Sequence, residues 1–489
     1  MHNSKIIELL QQLDSRTLTR FGEYVASPYF NKHKETTLLC NYLLKEAPQF
    51  KRLSKLNKER VFKNIFPNQA FNNKNFHRLT SSLLQLLHNF LIDDAWQDKK
   101  NKRAVVLLEQ LRKYKLEKHY RSTAKQYQKQ IQSQSLDKSE YKENQYKFYK
   151  ELDLLFVVQG GRAYNENLQL ANDFLDQFFI LEKLKMACDM ANRNKVIQAD
   201  YQWSLMNDIK EHLQQNQAFF SPIIQIYYTI FRMLTSEDEA QTEHIYNELK
   251  VLLKRHADTF TKTDIMQTYS YALNYAIGQI NKKGAIYLPE TLELYLYLVE
   301  SEAIFVAGQL MPQEYKNIVT LGVRLEKYDW TEQFIEQYQN KLPKDVRNNV
   351  YKYNLASLQH SKGAYDDALQ TLHNVDFINP TYYLGTKIIQ LKIFYELNES
   401  EALFSLVDAC LSYLRRSATV ADYQKKSTAS LMKFTQKLCK IKDKIAFTDR
   451  KKTVLALEKL EVDIDKSNSV ANRDWLNSCL KKVQLQVGA

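Results

Sequence analysis

The sequence predicts an all-α fold, and three observations carry that expectation. Ten Gly and eight Pro among 489 residues stand far below the roughly 12% that these two residues average together. Tight turns and hairpins consume both, so their scarcity favours long helices on short links. Leu, Lys, Gln, Glu and Ala, all strong helix formers, are frequent. Apolar residues also recur at spacings of three and four along most of the chain. At this length a single core must grow by repetition. The expected architecture is therefore an α-solenoid preceded by a helical N-terminal unit.

The N-terminal helical unit is expected over 1–96. Ile6, Ile7, Leu9, Leu10 and Leu13 form a first apolar stripe. Asp14 is placed to cap the next helix, whose Leu18, Phe21, Tyr24 and Val25 face inward. Pro28 breaks the chain, and Asn31 is the expected cap of a helix carrying Leu38, Leu39, Tyr42 and Leu43. After the break FPNQAFNN, residues Phe76, Leu79, Leu83, Leu86, Leu87, Phe90 and Leu91 define a long amphipathic helix. A long basic helical pair follows over 97–160, with Tyr120, Tyr127, Tyr141, Tyr146 and Tyr149 set among Lys and Gln. Such tyrosines can stack on nucleic-acid bases, but packing on a neighbouring helix is the reading we favour. Gly160-Gly161 marks a turn, and Arg162-Ala163 after it excludes a P-loop. From 161 to 416 successive amphipathic helices are punctuated by Pro222, Gly284, Pro289, Pro312, Pro343 and Pro380, which suits stacked helix pairs. Lys-rich helices over 417–489 are expected to cap the stack.

Charge divides along the chain. Residues 1–150 carry 29 basic and 14 acidic side chains, residues 151–400 carry 23 and 32, and residues 401–489 carry 17 and 10. The steepest stretch, 51–150, is +14 from 23 basic and nine acidic residues, and includes Lys99, Lys100, Lys102, Arg103, Arg112, Lys113, Lys115, Lys118 and Arg121. That surface can meet phosphates, an acidic protein, the chain's own acidic middle, or only solvent.

Residues 354–380 read as one complete two-helix repeat. Leu355 and the small Ala356 lie in the first helix, Gly363 turns the chain, and Tyr365 packs across the turn. Ala368, Leu372 and Val375 follow in the second helix, which Pro380 stops. This segment resembles the tetratricopeptide repeat (TPR) and aligns with that pattern without a gap. A shift of 34 residues sets Ala402, Leu406 and Ala409 under Ala368, Leu372 and Val375, and 317–343 looks like a further copy with Trp330 and Pro343 in the roles of Tyr365 and Pro380. The resemblance implies a groove lined by first helices that holds a peptide or a partner helix. Its groove-facing positions would be Tyr353, Ser357 and His360, then Lys387, Leu391 and Phe394. The subgroup of the family that clamps a C-terminal carboxylate has Lys and Asn where Tyr353 and Ser357 stand here.

No catalytic constellation is legible. The ten histidines are scattered, and none lies in H-E-x-x-H or beside a cysteine. Cys40, Cys188, Cys410, Cys439 and Cys479 are far apart, which argues against a metal site or disulfide framework and for a reducing compartment. No secretory signal or membrane span is read. The expectation is a non-enzymatic cytoplasmic scaffold or adaptor with no metal, cofactor, small-molecule substrate or membrane contact. It would bind a protein or peptide through the groove. The alternative is a nucleic-acid-binding or regulatory protein that uses 51–150. Because the groove lies in the acidic middle of the chain, a neutral or basic partner is expected over an acidic one.

Overall fold

The computed structural model describes residues 1, 3–50, 53–131, 139–197, 201–216, 221–373 and 380–488. Among them lie 23 α-helices and no β-strand, only an isolated bridge between Val306 and Gln309. Two compact units are present, Met1–Lys183 with Leu205–Ile223, and Leu184–Ser204 with Ile224–Ala489.

The first unit opens with α1 (Lys5–Gln12), α2 (Ser15–Ala26), α3 (Lys34–Leu44), α4 (Lys58–Ile65) and α5 (Asn73–Gln97). Asp14 caps α2 as expected, accepting from the Thr17 amide at 2.8 Å. Asn31 does not cap α3. Its amide donates to the Val25 carbonyl at 2.9 Å and its Oδ1 accepts from the His33 amide at 3.0 Å, so it ties the Pro28 turn together from a buried position. Ile7, Phe21, Leu39, Val61, Phe76, Leu83 and Leu87 meet in one core.

The expected pair over 97–160 is three helices, α6 (Lys100–Lys113), α7 (Glu117–Ile131) and α8 (Ser139–Val158). The additional break falls at Lys115, whose φ of +57° is left-handed. No Gly or Pro signals that turn. After it come α9 (Glu166–Ile197), of which residues through Lys183 belong to the first unit, and α10 (Met206–Gln215).

The second unit continues with α11 (Pro222–Thr235), α12 (Glu239–Arg255), α13 (Lys262–Lys283) and α14 (Leu288–Glu300). A regular stack follows, made of α15 (Pro312–Arg324), α16 (Tyr328–Tyr338), α17 (Arg347–Ser361), α18 (Tyr365–His373), α19 (Pro380–Glu396), α20 (Ser400–Arg416), α21 (Asp422–Asp443), α22 (Arg450–Lys466) and α23 (Arg473–Gly488). Pro222, Pro289, Pro312 and Pro380 each lie in the first turn of a helix, where a missing N–H costs nothing. Pro380 thus opens α19 rather than stopping the helix before it, while Val375 lies outside the described residues.

In this stack each helix packs on its chain neighbours, and α15, α17, α19, α21 and α23 also pack one on the next. The odd-numbered helices therefore form one row and the even-numbered helices a second. The rows close tightly where glycine permits. A Cβ on Gly322 would sit 2.3 Å from Thr331 Oγ1 of α16, and one on Gly385 would sit 2.7 Å from the Tyr353 ring of α17. Gly363 turns α17 into α18 at φ +79°, with Ala356 and Ala368 fully buried at the crossing. One core extends from Leu384 through Leu403, Leu431, Leu457 and Leu476 to Val487, so the last helices continue the stack.

Candidate functional site

The nine basic residues picked out from 51–150 divide into paired and free groups. Arg112 donates to both carboxylate oxygens of the buried Glu151, at 2.5 and 3.2 Å, and this contact raises its already high pKa. Lys99 lies 3.6 Å from Glu140, and Lys102 lies 3.7 Å from Glu140 and 3.3 Å from Glu143. Lys113 pairs with Glu109 at 2.8 Å and Arg121 with Glu117, both one turn away on the same helix. Arg103 donates to Gln97 Oε1 at 2.6 Å. Lys100, Lys115 and Lys118 are exposed, and no carboxylate among the described residues pairs with them. Tyr120 and Tyr127 are buried, and Tyr120 donates to the Glu151 carbonyl at 3.0 Å. Tyr149 stacks on Phe174 with centroids 5.7 Å apart, and Tyr141 meets the same ring edge-on. Tyr146 is half-buried beside Lys150, whose ammonium donates to its hydroxyl at 3.2 Å. Tyr120, Tyr127, Tyr141 and Tyr149 pack helices, and the faces of Tyr120 and Tyr127 are closed to bases.

The six groove positions do not share one surface. Tyr353, Ser357 and His360 lie on one side of α17, with Tyr353 only 9% exposed and the other two half-buried. Leu391 is fully buried in the core that the last five helices share, and Phe394 packs against that core. Lys387 sits over the Tyr383 ring at 5.5 Å and donates to Gln390 Oε1 at 3.0 Å, while Tyr383 packs on Tyr413 of α20 at 4.2 Å. Leu391 offers a ligand no surface, and Lys387 and Phe394 turn toward α20 and the core. The reason is helical phase. The residue of α19 that meets Tyr353 is Gly385, two positions before Lys387, and two residues turn a helix by about 200°.

The α19 face that does adjoin Tyr353 carries Tyr382, Gly385 and Lys392. Tyr382 meets Tyr353 edge-on at 5.1 Å and donates to the Pro312 carbonyl at 3.1 Å. Lys316 of α15 holds its ammonium 5.3 Å from the Tyr353 centroid and 5.8 Å from that of Tyr382, within cation–π range. Farther along the same face, Lys392 donates to Asn472 Oδ1 at 2.7 Å and lies 5.4 Å from the Trp475 ring. Trp475 meets Tyr395 edge-on at 5.7 Å, and Lys442 of α21 sits 4.7 Å over Tyr395 and donates to Asn398 Oδ1 at 2.5 Å.

Burial tunes the charges in this seam. It lowers the Lys316 pKa and pushes Lys392 down to about 8. His360, desolvated and facing Lys392, is pushed down to about 4 and stays neutral at pH 7. Among the described residues no carboxylate forms an ion pair with Lys316, Lys392 or Lys442. Glu396 acts on Cys479 together with Lys392 and Lys442, but it pairs with neither lysine. The residue-by-residue carry-over missed Lys316, Tyr382, Lys392 and Trp475. One sequence signal did point there, a lone glycine (Gly385) inside a helix rich in aromatic residues, which marks close approach of another backbone or side chain.

Elsewhere in the second unit a cleft of about 510 Å³ is lined by Asn192, Asn274, Tyr271 and Gln279, and Tyr271 donates to Asp189 at 2.6 Å. Among the described residues no three His, Cys, Asp or Glu side chains gather as a metal-binding group, and no helix is long and apolar enough to cross a membrane. All five cysteines are buried free thiols. Neither a known protein-family profile nor a curated protein matches the chain.

Proposed function

We propose that this chain is a non-enzymatic adaptor or scaffold that holds a segment of a partner protein along the odd-numbered helices of its TPR-like stack. The observation that carries the reading is the seam across α15, α17 and α19, where Lys316, Tyr353, Tyr382 and Gly385 converge in a repetitive two-row stack. Stacked helix pairs that expose a row of equivalent helices make extended binding surfaces. The five buried thiols support a reducing, cytoplasmic setting. The alternative reading, nucleic acid on 51–150, draws less support, because five of its nine basic side chains pair with carboxylates of their own unit.

Site-specific photo-crosslinking in living cells tests the reading. A benzophenone amino acid replaces Ser357, half-buried on the seam side of α17, and in a control it replaces Gln370, exposed on α18. We expect a discrete protein adduct from position 357 that is absent from position 370. Equal labelling at both positions, or none at 357, removes the adaptor reading.

A further inference from the structure

We infer that the segment held by this seam is acidic, with two carboxylates set four or five residues apart in an extended strand and uncharged side chains between them. This rests on the adaptor reading and names the chemistry of its partner. It also reverses the expectation drawn from the acidic middle of the chain, because the seam itself is locally cationic.

The argument starts from Lys316 and Lys392. Each lysine is half-buried with its ammonium against aromatic rings, and each lacks a carboxylate partner among the described residues. Desolvation lowers the pKa of both, and for Lys392 it outweighs the other influences. A partly desolvated cation without a counter-ion is costly, and aromatic rings at 5.3 and 5.4 Å offset only part of that cost. An arriving carboxylate supplies the missing counter-charge to both groups. Lys442, already bound to Asn398 and seated over Tyr395, extends the same potential toward α21.

Spacing distinguishes a peptide from a nucleic acid. Lys316 reaches α19 at Tyr382, ten residues before Lys392, so the two cationic points are about 15 Å apart along the helix at 1.5 Å per residue. Between them α19 carries Gly385, covered by the Tyr353 ring, and Ile389, which is buried, so no charged side chain of that face intervenes, and the flanking His360 is neutral. An extended chain advances about 3.3 Å per residue, so carboxylates four or five positions apart meet both ammonium groups while the residues between them meet no charge. A phosphate backbone would set further charges on that uncharged stretch.

The test is selection of random dodecapeptides displayed on phage against the immobilised full-length chain, followed by fluorescence anisotropy with the recovered peptides. We expect enrichment of peptides carrying two acidic residues four or five apart. Replacing either by its amide should weaken binding at least ten-fold, as should Lys316→Met or Lys392→Met in the protein, while Lys100→Met and Lys118→Met in the first unit leave it unchanged. Thermal unfolding of the seam variants checks folding, and they should melt no lower than the parent. Three outcomes overturn the inference: recovery of neutral or basic peptides, acidic peptides that bind the Lys316→Met/Lys392→Met double variant as tightly as the parent, and displacement of the recovered peptides by single-stranded RNA at lower concentration than by unlabelled peptide. If the adduct at position 357 forms while the selection yields no acidic peptide, the groove stands and the acidic chemistry fails. If both experiments fail, so does the adaptor reading.

Discussion

Replacing Lys392 by Met should stabilise the second unit at neutral pH, and the gain should disappear as the pH rises. Burial pushes the Lys392 pKa from 10.5 to about 8, and at about 1.4 kcal/mol per unit the charged form costs the folded state about 3 kcal/mol. The lysine recovers part of this through its bond to Asn472 and its place over Trp475, together about 2 kcal/mol. Met fills a similar volume, carries no charge and forgoes both contacts. The variant should therefore gain about 1 kcal/mol at pH 7. Proton binding fixes the pH dependence. Between pH 8 and 10.5 the unfolded chain retains a proton that the folded chain has shed, so the parent gains stability across that window. Below pH 8 the full cost is present, and above 10.5 both states are neutral. The difference between variant and parent should accordingly fall by about 3 kcal/mol from pH 8 to 10.5. Urea unfolding at pH 7, 8.5 and 10, followed by circular dichroism and fitted with separate transitions for the two units, measures it. A variant that is less stable at pH 7, with a difference independent of pH, would refute the claim that the ammonium is desolvated and unpaired.

Further outcomes follow from the same packing. Gly385→Ala puts a methyl 2.7 Å from the buried Tyr353 ring and should cost about 1–3 kcal/mol of thermal stability, even against the roughly 1 kcal/mol that Ala gains over Gly within a helix; a higher melting temperature would contradict the close approach. Arg112→Ala strands the buried Glu151 and should cost about 3 kcal/mol in urea, whereas Arg112→Met with Glu151→Leu should restore most of the loss. His360, pushed down to about 4, should show no imidazole titration by NMR between pH 5 and 8. As the pH falls from 6.5 to 4 the unfolded chain gains a proton that the folded chain refuses, so up to about 3 kcal/mol of stability is lost, and His360→Gln should flatten that slope.

Local patterns made much of the fold legible. The stripe from Phe76 to Phe90 is buried where its spacing put it, because a helix that buries one face must repeat its apolar residues. Gly363 turns at positive φ, as a residue without Cβ does most readily. Lys115 was illegible for the opposite reason: it adopts left-handed φ without being Gly or Asn, in a turn closed by the Leu116 amide on the Leu111 carbonyl at 2.9 Å. Helical phase sets the aligned groove positions on different faces. A fixed shift of 34 residues maps Tyr353 onto Lys387, but α19 presents Gly385 and Tyr382 to its neighbour. An error of two positions is small along a sequence and more than half a turn around a helix. Only the contact between helices sets that angle.

The same distinction explains why charge counts point away from the seam. The stretch with the largest excess, 51–150, spends several of its cations on nearby carboxylates, including two pairs one turn apart that screen each other in water. The acidic middle places its carboxylates on lysines at the outside of helices, as Glu332 does with Lys362 and Glu302 with Lys262, and leaves Lys316 and Lys392 unmatched in the layer. Net charge sums over both situations, but a ligand meets only the unmatched groups. A long aliphatic stem lets either lysine carry its ammonium out to water, yet both keep it against aromatic rings in the seam. The resulting potential sits at Lys316 and Lys392, and Lys442 extends it toward α21. For the acidic segment we propose, that arrangement would discriminate by the spacing of negative charge more than by its amount, which is why exchanging one carboxylate for an amide is the sharper probe and total peptide charge the weaker one.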